Sequence, residues 1–274
     1  MFDAVLLFRD ALYGTLVIAL ACSVLGVYVV LRRIVFVGAA LAQLSSAGIA
    51  LGLWLAGMGI AQGLTTHPIA LSLAVTIVGV LFFGLGSGRA RVPPDATLGV
   101  TYAVATAVGI LLISKATTGE AHDIFLQGNI LSITRFDTNV LMAVAIPVLA
   151  VHAIFYKEFL FMSFDRETAR TLGFRVGAWN LFLYLTLGLV IAFAMQFAGV
   201  MLVFNFLVLP AVTGLLVSRS MGGTFLWSIV SALSAAVIGF SLSVPFDLPS
   251  GPAIIAVSGI LALVAFLIRL AQRR

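Results

Sequence analysis

The chain has 274 residues, of which 62% are hydrophobic and 9% charged, and its mean hydropathy is +1.21. Soluble proteins carry about 25% charged residues, so this composition excludes a water-soluble domain and indicates a surface that meets mainly lipid. The formal net charge of +5 comes from basic residues in short loops between apolar segments, which favours anchoring at a membrane face over nucleic-acid binding.

The predicted elements are membrane-spanning helices, because one crossing needs about 20 mostly apolar residues. In chain order, the apolar segments lie at 11–31, 37–60, 68–86, 96–114, 138–156, 177–197, 199–217, 223–245 and 251–270. These segments are too long and too uniformly apolar for the strands of a membrane barrel. We therefore predict an all-α membrane protein, a single domain over residues 1–274 with about eight or nine transmembrane helices. The number depends on 177–217, where almost nothing polar separates two segments and Pro210 interrupts the second.

The positions of Lys and Arg predict the orientation of the bundle. With the N-terminus outside, twelve of the fifteen basic residues fall in inner loops or at the C-terminus, and only Arg9, Lys115 and Arg135 fall outside. The reverse orientation inverts this ratio, against the positive-inside rule. The sequence thus predicts an outer N-terminus, a cytoplasmic C-terminus and a multi-pass location in the cell inner (cytoplasmic) membrane.

One predicted cytoplasmic loop, 157–177, contains helix signals of its own. Asp165 is suited to be the N-cap, with the aromatic Phe164 before it and Gly173 placed to end the helix. Glu167 suits the first turn and Arg170 the last, because of their charges, and Ala169 is a small apolar position between them. Leu172 is expected to share an apolar face with Ala169. The pattern predicts a short helix near 164–173, which the residues alone leave open as an ordinary juxtamembrane helix or a docking element for a cytoplasmic partner.

Five segments, in order along the chain, resemble one known family. They are RRIVFVGAALAQLSSAGIALG at 32–52, DATLGVTYAV at 95–104, FLQGNILSIT at 125–134, D-x-x-x-A-x-x-x-G at 165–173 and AGVMLVFNFLVLPAVTGLLVSRS at 198–220. Together they resemble the permease subunits of ATP-binding-cassette importers that take up zinc, manganese or iron. The resemblance implies a homodimer of permeases, two cytoplasmic ATP-binding subunits that each receive one 164–173 helix, and an extracytoplasmic solute-binding protein. It also implies that this chain binds no cofactor and that ATP is used by the partner subunit. The chain contains no G-x-x-x-x-G-K-[ST] loop, so we expect a transport subunit rather than an enzyme.

The chain departs from this family where a metal would be bound. The family usually places an Asp and a His one helical turn apart in its second span, and the aligned residues here are Ala39 and Gln43. In the outer segment, Asn129 replaces a typical Asp. The candidate residues of the translocation path are therefore neutral: Gln43, Ser46, Asn129 and Asn205. An alternative is that these groups only bond or pack against neighbouring helices.

Near the predicted outer mouth, the most ligand-like cluster is Glu120, His122 and Asp123. It either attracts cations by charge or forms a solvated loop, and the identity of a metal stays open. Because the Asp and His are missing, a permease for a different small substrate is an alternative function. A stand-alone secondary transporter is a second alternative, but no ionisable residue lies near the middle of any predicted span to serve as a proton relay.

Overall fold

The computed structural model of the protein describes residues 8–58, 68–86, 93–115 and 130–272, and the regular structure in these ranges is helical. In chain order the helices are α1 (Arg9–Leu31), α2 (Val35–Gly57), α3 (Pro68–Gly86), α4 (Pro94–Lys115), α5 (Arg135–Ile154), α6 (Tyr156–Phe164), α7 (Arg166–Thr171), α8 (Val176–Val217), α9 (Met221–Ser243) and α10 (Ser250–Ala271). A short 3-10 helix, Ile130–Ser132, precedes α5.

Most of these helices have the length and composition of membrane spans. Within the described ranges, seven are long and apolar enough to cross a membrane, namely α1, α2, α4, α5, α8, α9 and α10, and α3 contributes a shorter apolar helix over Ile69–Gly84. A helix of 23 residues, such as α1, is about 34 Å long and therefore covers a hydrocarbon layer of about 30 Å. The prediction of a polytopic helical membrane bundle is confirmed.

Helix α8 contains two predicted spans that meet at a single residue. It has 42 residues, so a straight helix of that length would extend about 63 Å, about twice the thickness of a membrane. Gly199 interrupts it with φ 71° and ψ 168°, a backbone conformation available essentially only to glycine.

Contacts with α1 show that α8 folds back at Gly199. Near its start, Asn180 accepts a hydrogen bond from Arg32, the residue that follows α1. Further along, Phe193 lines a small cleft together with Val17, well back along α1. Beyond Gly199, Leu207 contacts Gly26, and Gly26 is closer than Val17 to the Arg32 end of α1. The two halves of α8, 176–198 and 200–217, therefore run in opposite directions along α1.

Small residues allow the helix backbones to approach closely in the core. A Cβ atom added to Gly26 would collide with the carbonyl oxygen of Leu207, and one added to Gly214 would collide with that of Thr224. Such small-residue contacts are typical of helix packing in membranes, where dispersion between close backbones replaces the hydrophobic effect. They place α1 and the second half of α8 at the centre of the bundle.

Most of the described basic side chains lie at one end of the bundle, here called the basic end. This end includes the C-terminus of α1 with Arg32, the two short helices α6 and α7, and the start and finish of α8. Arg269, near the end of α10, donates hydrogen bonds to the carbonyl oxygens of Leu215 and Leu216, 2.7 and 3.2 Å away. At the opposite end, Arg9 and Arg135 line a cavity of about 550 Å³.

Candidate coupling helix and translocation path

Helix α7 is closed at its first turn by Asp165. One carboxylate oxygen of Asp165 accepts a hydrogen bond from the backbone N–H of Thr168 at 2.9 Å, and the other accepts one from the Thr168 hydroxyl at 2.6 Å. The predicted N-cap is confirmed. Because the Thr168 hydroxyl, and then its amide, stabilise the charged carboxylate, the pKa of Asp165 lies below its ordinary value.

The end of α7 is closed just as completely by its glycine. Gly173 has φ 84°, and its N–H donates to the carbonyl oxygen of Arg170 at 3.2 Å, while the N–H of Phe174 donates to that of Ala169 at 3.1 Å. These two bonds are the pair that defines a Schellman motif, in which a left-handed residue stops the helix and satisfies its last carbonyls. The prediction that Gly173 ends the helix is confirmed.

The surface of α7 and its flanks is mixed, with charged and apolar groups side by side. Glu167 and Arg170 are exposed, and Phe164 and Leu172 expose 60% and 65% of their surface. Ala169 is fully buried, so the expected apolar face shared by Ala169 and Leu172 does not form. Leu172 is the C-cap residue, and its exposure shows that no described element covers it there. Exposed apolar side chains among charges are typical of a protein interface.

Helix α6 attaches α7 to the bundle through stacked aromatic rings. Phe159 is fully buried, and its ring centroid lies 4.4 Å from that of His152, 5.6 Å from that of Tyr28 and 5.3 Å from that of Trp179. Rings from α1, α5, α6 and α8 therefore meet around one side chain. His152 also lies 2.9 Å from the carbonyl oxygen of Val148 through Nδ1, as expected of a packing residue rather than a ligand.

The candidate path residues that the structure describes are buried, and each has a side-chain polar atom without a hydrogen-bond partner. Gln43, Ser46 and Asn205 expose 3%, 1% and 4% of their surface. Among the described residues, no partner is present for the side-chain oxygens of Gln43 and Ser46 or for either polar atom of the Asn205 amide. By contrast, Ser45 bonds Ser72 on α3 at 2.7 Å, which supports the packing alternative for this serine. Buried unpaired polar atoms are costly, which makes the other three residues candidates for function.

The remaining predicted residues lie outside the described ranges. Asn129 and the outer-mouth cluster of Glu120, His122 and Asp123 fall within 116–129. In the part of the chain that the structure describes, no group of three or more His, Cys, Asp or Glu side chains could hold a metal ion.

Sequence reasoning missed the contacts of Arg32. Its position at the end of an apolar segment marked it only as an inner-loop charge. The structure buries it and pairs it with Ser163 and Asn180. The only available signal was a second arginine directly beside it, Arg33, since one of two adjacent arginines is enough to anchor a span.

The bundle of apolar helices with one capped helical projection defines a polytopic helical membrane protein. The chain belongs to the ABC 3 transport family, whose profile matches residues 5–269. The family resemblance drawn from the five segments is therefore confirmed.

Relatives with established names are similar over nearly the whole chain. The "Manganese transport system membrane protein MntC" of Listeria innocua is 32% identical over 261 residues, which cover 94% of this chain and 89% of that protein. The "Manganese import system permease protein ScaB" of Streptococcus gordonii is 30% identical, with coverages of 97% and 92%. A solved structure, PsaBC from Streptococcus pneumoniae in complex with Fab, superposes with a TM-score of 0.82 at 25% identity and covers 94% of this chain and 90% of its own.

Proposed function

We propose that this chain is the membrane-spanning permease subunit of an ATP-driven importer for divalent metal ions. Manganese is the best-supported cargo, because the MntC and ScaB relatives are named for it; zinc and iron belong to the same class. The observation that carries the proposal is α7, a helix closed at both ends that presents exposed charged and apolar side chains at the basic end. A helix closed in this way can serve as a rigid docking element for an ATP-binding subunit.

The proposed topology has nine crossings. Counting the two halves of α8 separately and adding α3 to the seven long apolar helices gives this number. An odd number of crossings places the termini on opposite sides, and the basic end is cytoplasmic by the positive-inside rule. The N-terminus is then outside, and residues 1–274 form a single permease domain in the cytoplasmic membrane with its coupling helix near 164–173.

The proposed assembly pairs two copies of this chain with two cytoplasmic ATP-binding subunits and an extracytoplasmic solute-binding protein. ATP is bound and hydrolysed by the partner subunits, and this chain itself carries out no chemical step. Closure of the ATP-binding subunits would move α7, and the bundle would then change the side on which its path opens.

In this proposal the cargo passes Gln43, Ser46 and Asn205, with Asn129 and the outer cluster of Glu120, His122 and Asp123 at the entrance. A second candidate cargo, a different small substrate such as a metal already enclosed by ligands, is favoured by one observation. The described candidate path residues are neutral amides and a hydroxyl, whereas bare divalent ions of this class prefer carboxylate, imidazole or thiolate ligands.

The test is reconstitution. The chain is coexpressed with ATP-binding and solute-binding proteins of importers from its own organism, purified, and placed in proteoliposomes with ATP on the α7 side. We expect the ATP-binding subunit to copurify and radioactive manganese to accumulate only when ATP and the binding protein are both present.

Three results separate the alternatives. Manganese flux through the purified chain without any ATP-binding subunit would indicate a secondary transporter. Stable copurification and ATP hydrolysis without uptake of manganese, zinc or iron would favour the different substrate. Failure of any ATP-binding subunit to associate would contradict the proposal itself.

A further inference from the structure

Arg32 lies directly after α1, and its buried side chain is bonded to two other elements. Only 8% of its surface is exposed. Its Nε donates a hydrogen bond to the hydroxyl oxygen of Ser163 in α6 at 2.9 Å, and its Nη1 donates one to the side-chain oxygen of Asn180 in α8, also at 2.9 Å. One guanidinium thus joins three helices.

Both acceptors are oriented for this guanidinium. The Ser163 hydroxyl donates its own hydrogen to the carbonyl oxygen of Phe159 at 2.6 Å, which leaves a lone pair for Arg32. The Asn180 amide presents its oxygen and not its nitrogen. Arginine suits this place because its N–H groups form a rigid planar fork, whereas the lysine ammonium is a point charge on a flexible stem.

The two bonded elements are the chain entering α7 and the chain leaving it. Ser163 lies two residues before Asp165, the N-cap of α7, and Asn180 lies in the first turns of α8 after the Gly173 stop. A displacement of α7 that moves either flank therefore pulls on Arg32 or breaks its bonds. Arg32 directly follows α1. Within α1, the backbone of Gly26 contacts the backbone of Leu207 in the second half of α8.

We propose that Arg32 is a positioning residue that transmits movement of α7 into α1 and so into the centre of the bundle. This inference rests on the proposed function, in which α7 receives movement from an ATP-binding subunit. The aromatic rings around Phe159 hold α6 against the bundle, while the guanidinium supplies the directional link between α7 and α1. Without that link, ATP hydrolysis proceeds but is poorly converted into transport.

The experiment measures manganese uptake and ATP hydrolysis in the same proteoliposomes, which contain the chain, its ATP-binding subunit and its binding protein. For Arg32→Ala we expect ions transported per ATP to fall about tenfold or more, the scale of losing hydrogen bonds from a charged donor. Copurification and hydrolysis without the binding protein stay close to those of the natural protein, whereas the unfolding temperature falls because two buried acceptors lose their donor. Arg32→Lys restores only part of the ratio. Arg33→Ala is the matched control, because Arg33 is the adjacent, exposed arginine, and its ratio stays unchanged.

A second set of variants covers the case in which Arg32→Ala does not fold. Ser163→Ala and Asn180→Ala each remove one acceptor, and each lowers the ratio of uptake to hydrolysis. Combining either with Arg32→Lys adds less than the sum of the separate effects, because the groups act through one shared link. Stimulation of hydrolysis by the binding protein is a second readout of the same link.

The inference is overturned if these variants keep the natural ratio, or if uptake and hydrolysis fall by the same factor, which is the signature of a merely structural role. If no ATP-binding subunit associates even with the natural chain, the proposed function fails first, and the inference fails with it. The copurification step distinguishes these two failures.

Discussion

At the scale of single residues, the reversal of α8 depends on the backbone conformation of Gly199. Its φ of 71° and ψ of 168° belong to a region that a side chain makes inaccessible without strain. The residue is also buried between two buried neighbours, Ala198 and Val200. The reversal of α8 therefore depends on the absence of a Cβ at one position.

Replacing this glycine should destabilise the bundle. For Gly199→Ala we expect the free energy of unfolding to fall by about 1 to 3 kcal/mol, the usual cost of holding a residue in a sparsely populated backbone region. Thermal unfolding in detergent measures the effect. Gly259→Ala is the matched control, because Gly259 lies in α10 and a Cβ added there meets no atom within 4 Å. Equal unfolding temperatures for the two variants would contradict the role given to Gly199.

The unpaired amide of Asn205 supports a second residue-scale prediction. If this side chain lines the path, Asn205→Leu should lower manganese uptake without lowering the unfolding temperature, since no hydrogen bond to a described residue is lost. Ser45→Ala should do the opposite, because it breaks the buried bond to Ser72. Measuring uptake and unfolding temperature for both variants separates path from packing, and unchanged uptake in Asn205→Leu would favour packing.

At the scale of elements, α7 is unusual because six helical residues are held at both ends by their own chain. Helices this short are marginal when isolated. Here the Asp165 cap satisfies an N–H at the start, and the bonds of Gly173 and Phe174 satisfy carbonyls at the end. The sequence alone predicted both closures, because caps and glycine stops are local signals.

The cap predicts how α7 responds to pH. The pKa of Asp165 is lower in the folded protein than its ordinary value of 3.8, so its stabilising effect is present above that ordinary value and is lost as pH falls through the lower, folded pKa. We expect protection of the Thr168 amide against hydrogen exchange to be constant between about pH 8 and pH 5 and to be lost only under stronger acid. Asp165→Ala should remove this protection at every pH and lower uptake per ATP while the spans stay folded. Loss of protection already between those two pH values would show that the cap is not the controlling group.

At the scale of the whole molecule, the orientation can be tested with thiol labelling. The natural chain has one cysteine, Cys22, and it is fully buried, so an impermeant thiol reagent should not label the natural protein. Ser132→Cys, in the 3-10 helix before α5, should be labelled on intact cells. Leu172→Cys, at the end of α7, should be labelled only after the membrane is permeabilised. The reversed pattern would place α7 outside and remove the basis for an ATP-driven function.

The parts of the molecule that the sequence predicted are those with local signals. The apolar segments, the Asp165 cap and the Gly173 stop follow from hydropathy and from residue preferences a few positions apart. Arg32 is separated in sequence from its partners Ser163 and Asn180 by 131 and 148 positions. No periodicity or spacing in the sequence indicates pairs so far apart. The exposure of Leu172 was missed for a related reason, since whether another element covers the end of α7 depends on residues far away in the sequence. The fold-back at Gly199 was ambiguous because polar residues, the usual marker of a turn between spans, are absent there.

The closed ends of α7 have a consequence for how the assembly forms. A peptide that must coil into shape on its partner spends part of its binding free energy on ordering. Because both ends of α7 are closed by bonds within its own chain, little ordering should accompany its docking onto an ATP-binding subunit. Association should then depend on surface fit and on charge at Glu167 and Arg170, weaken as ionic strength rises, and show little of the heat-capacity change that accompanies coupled folding.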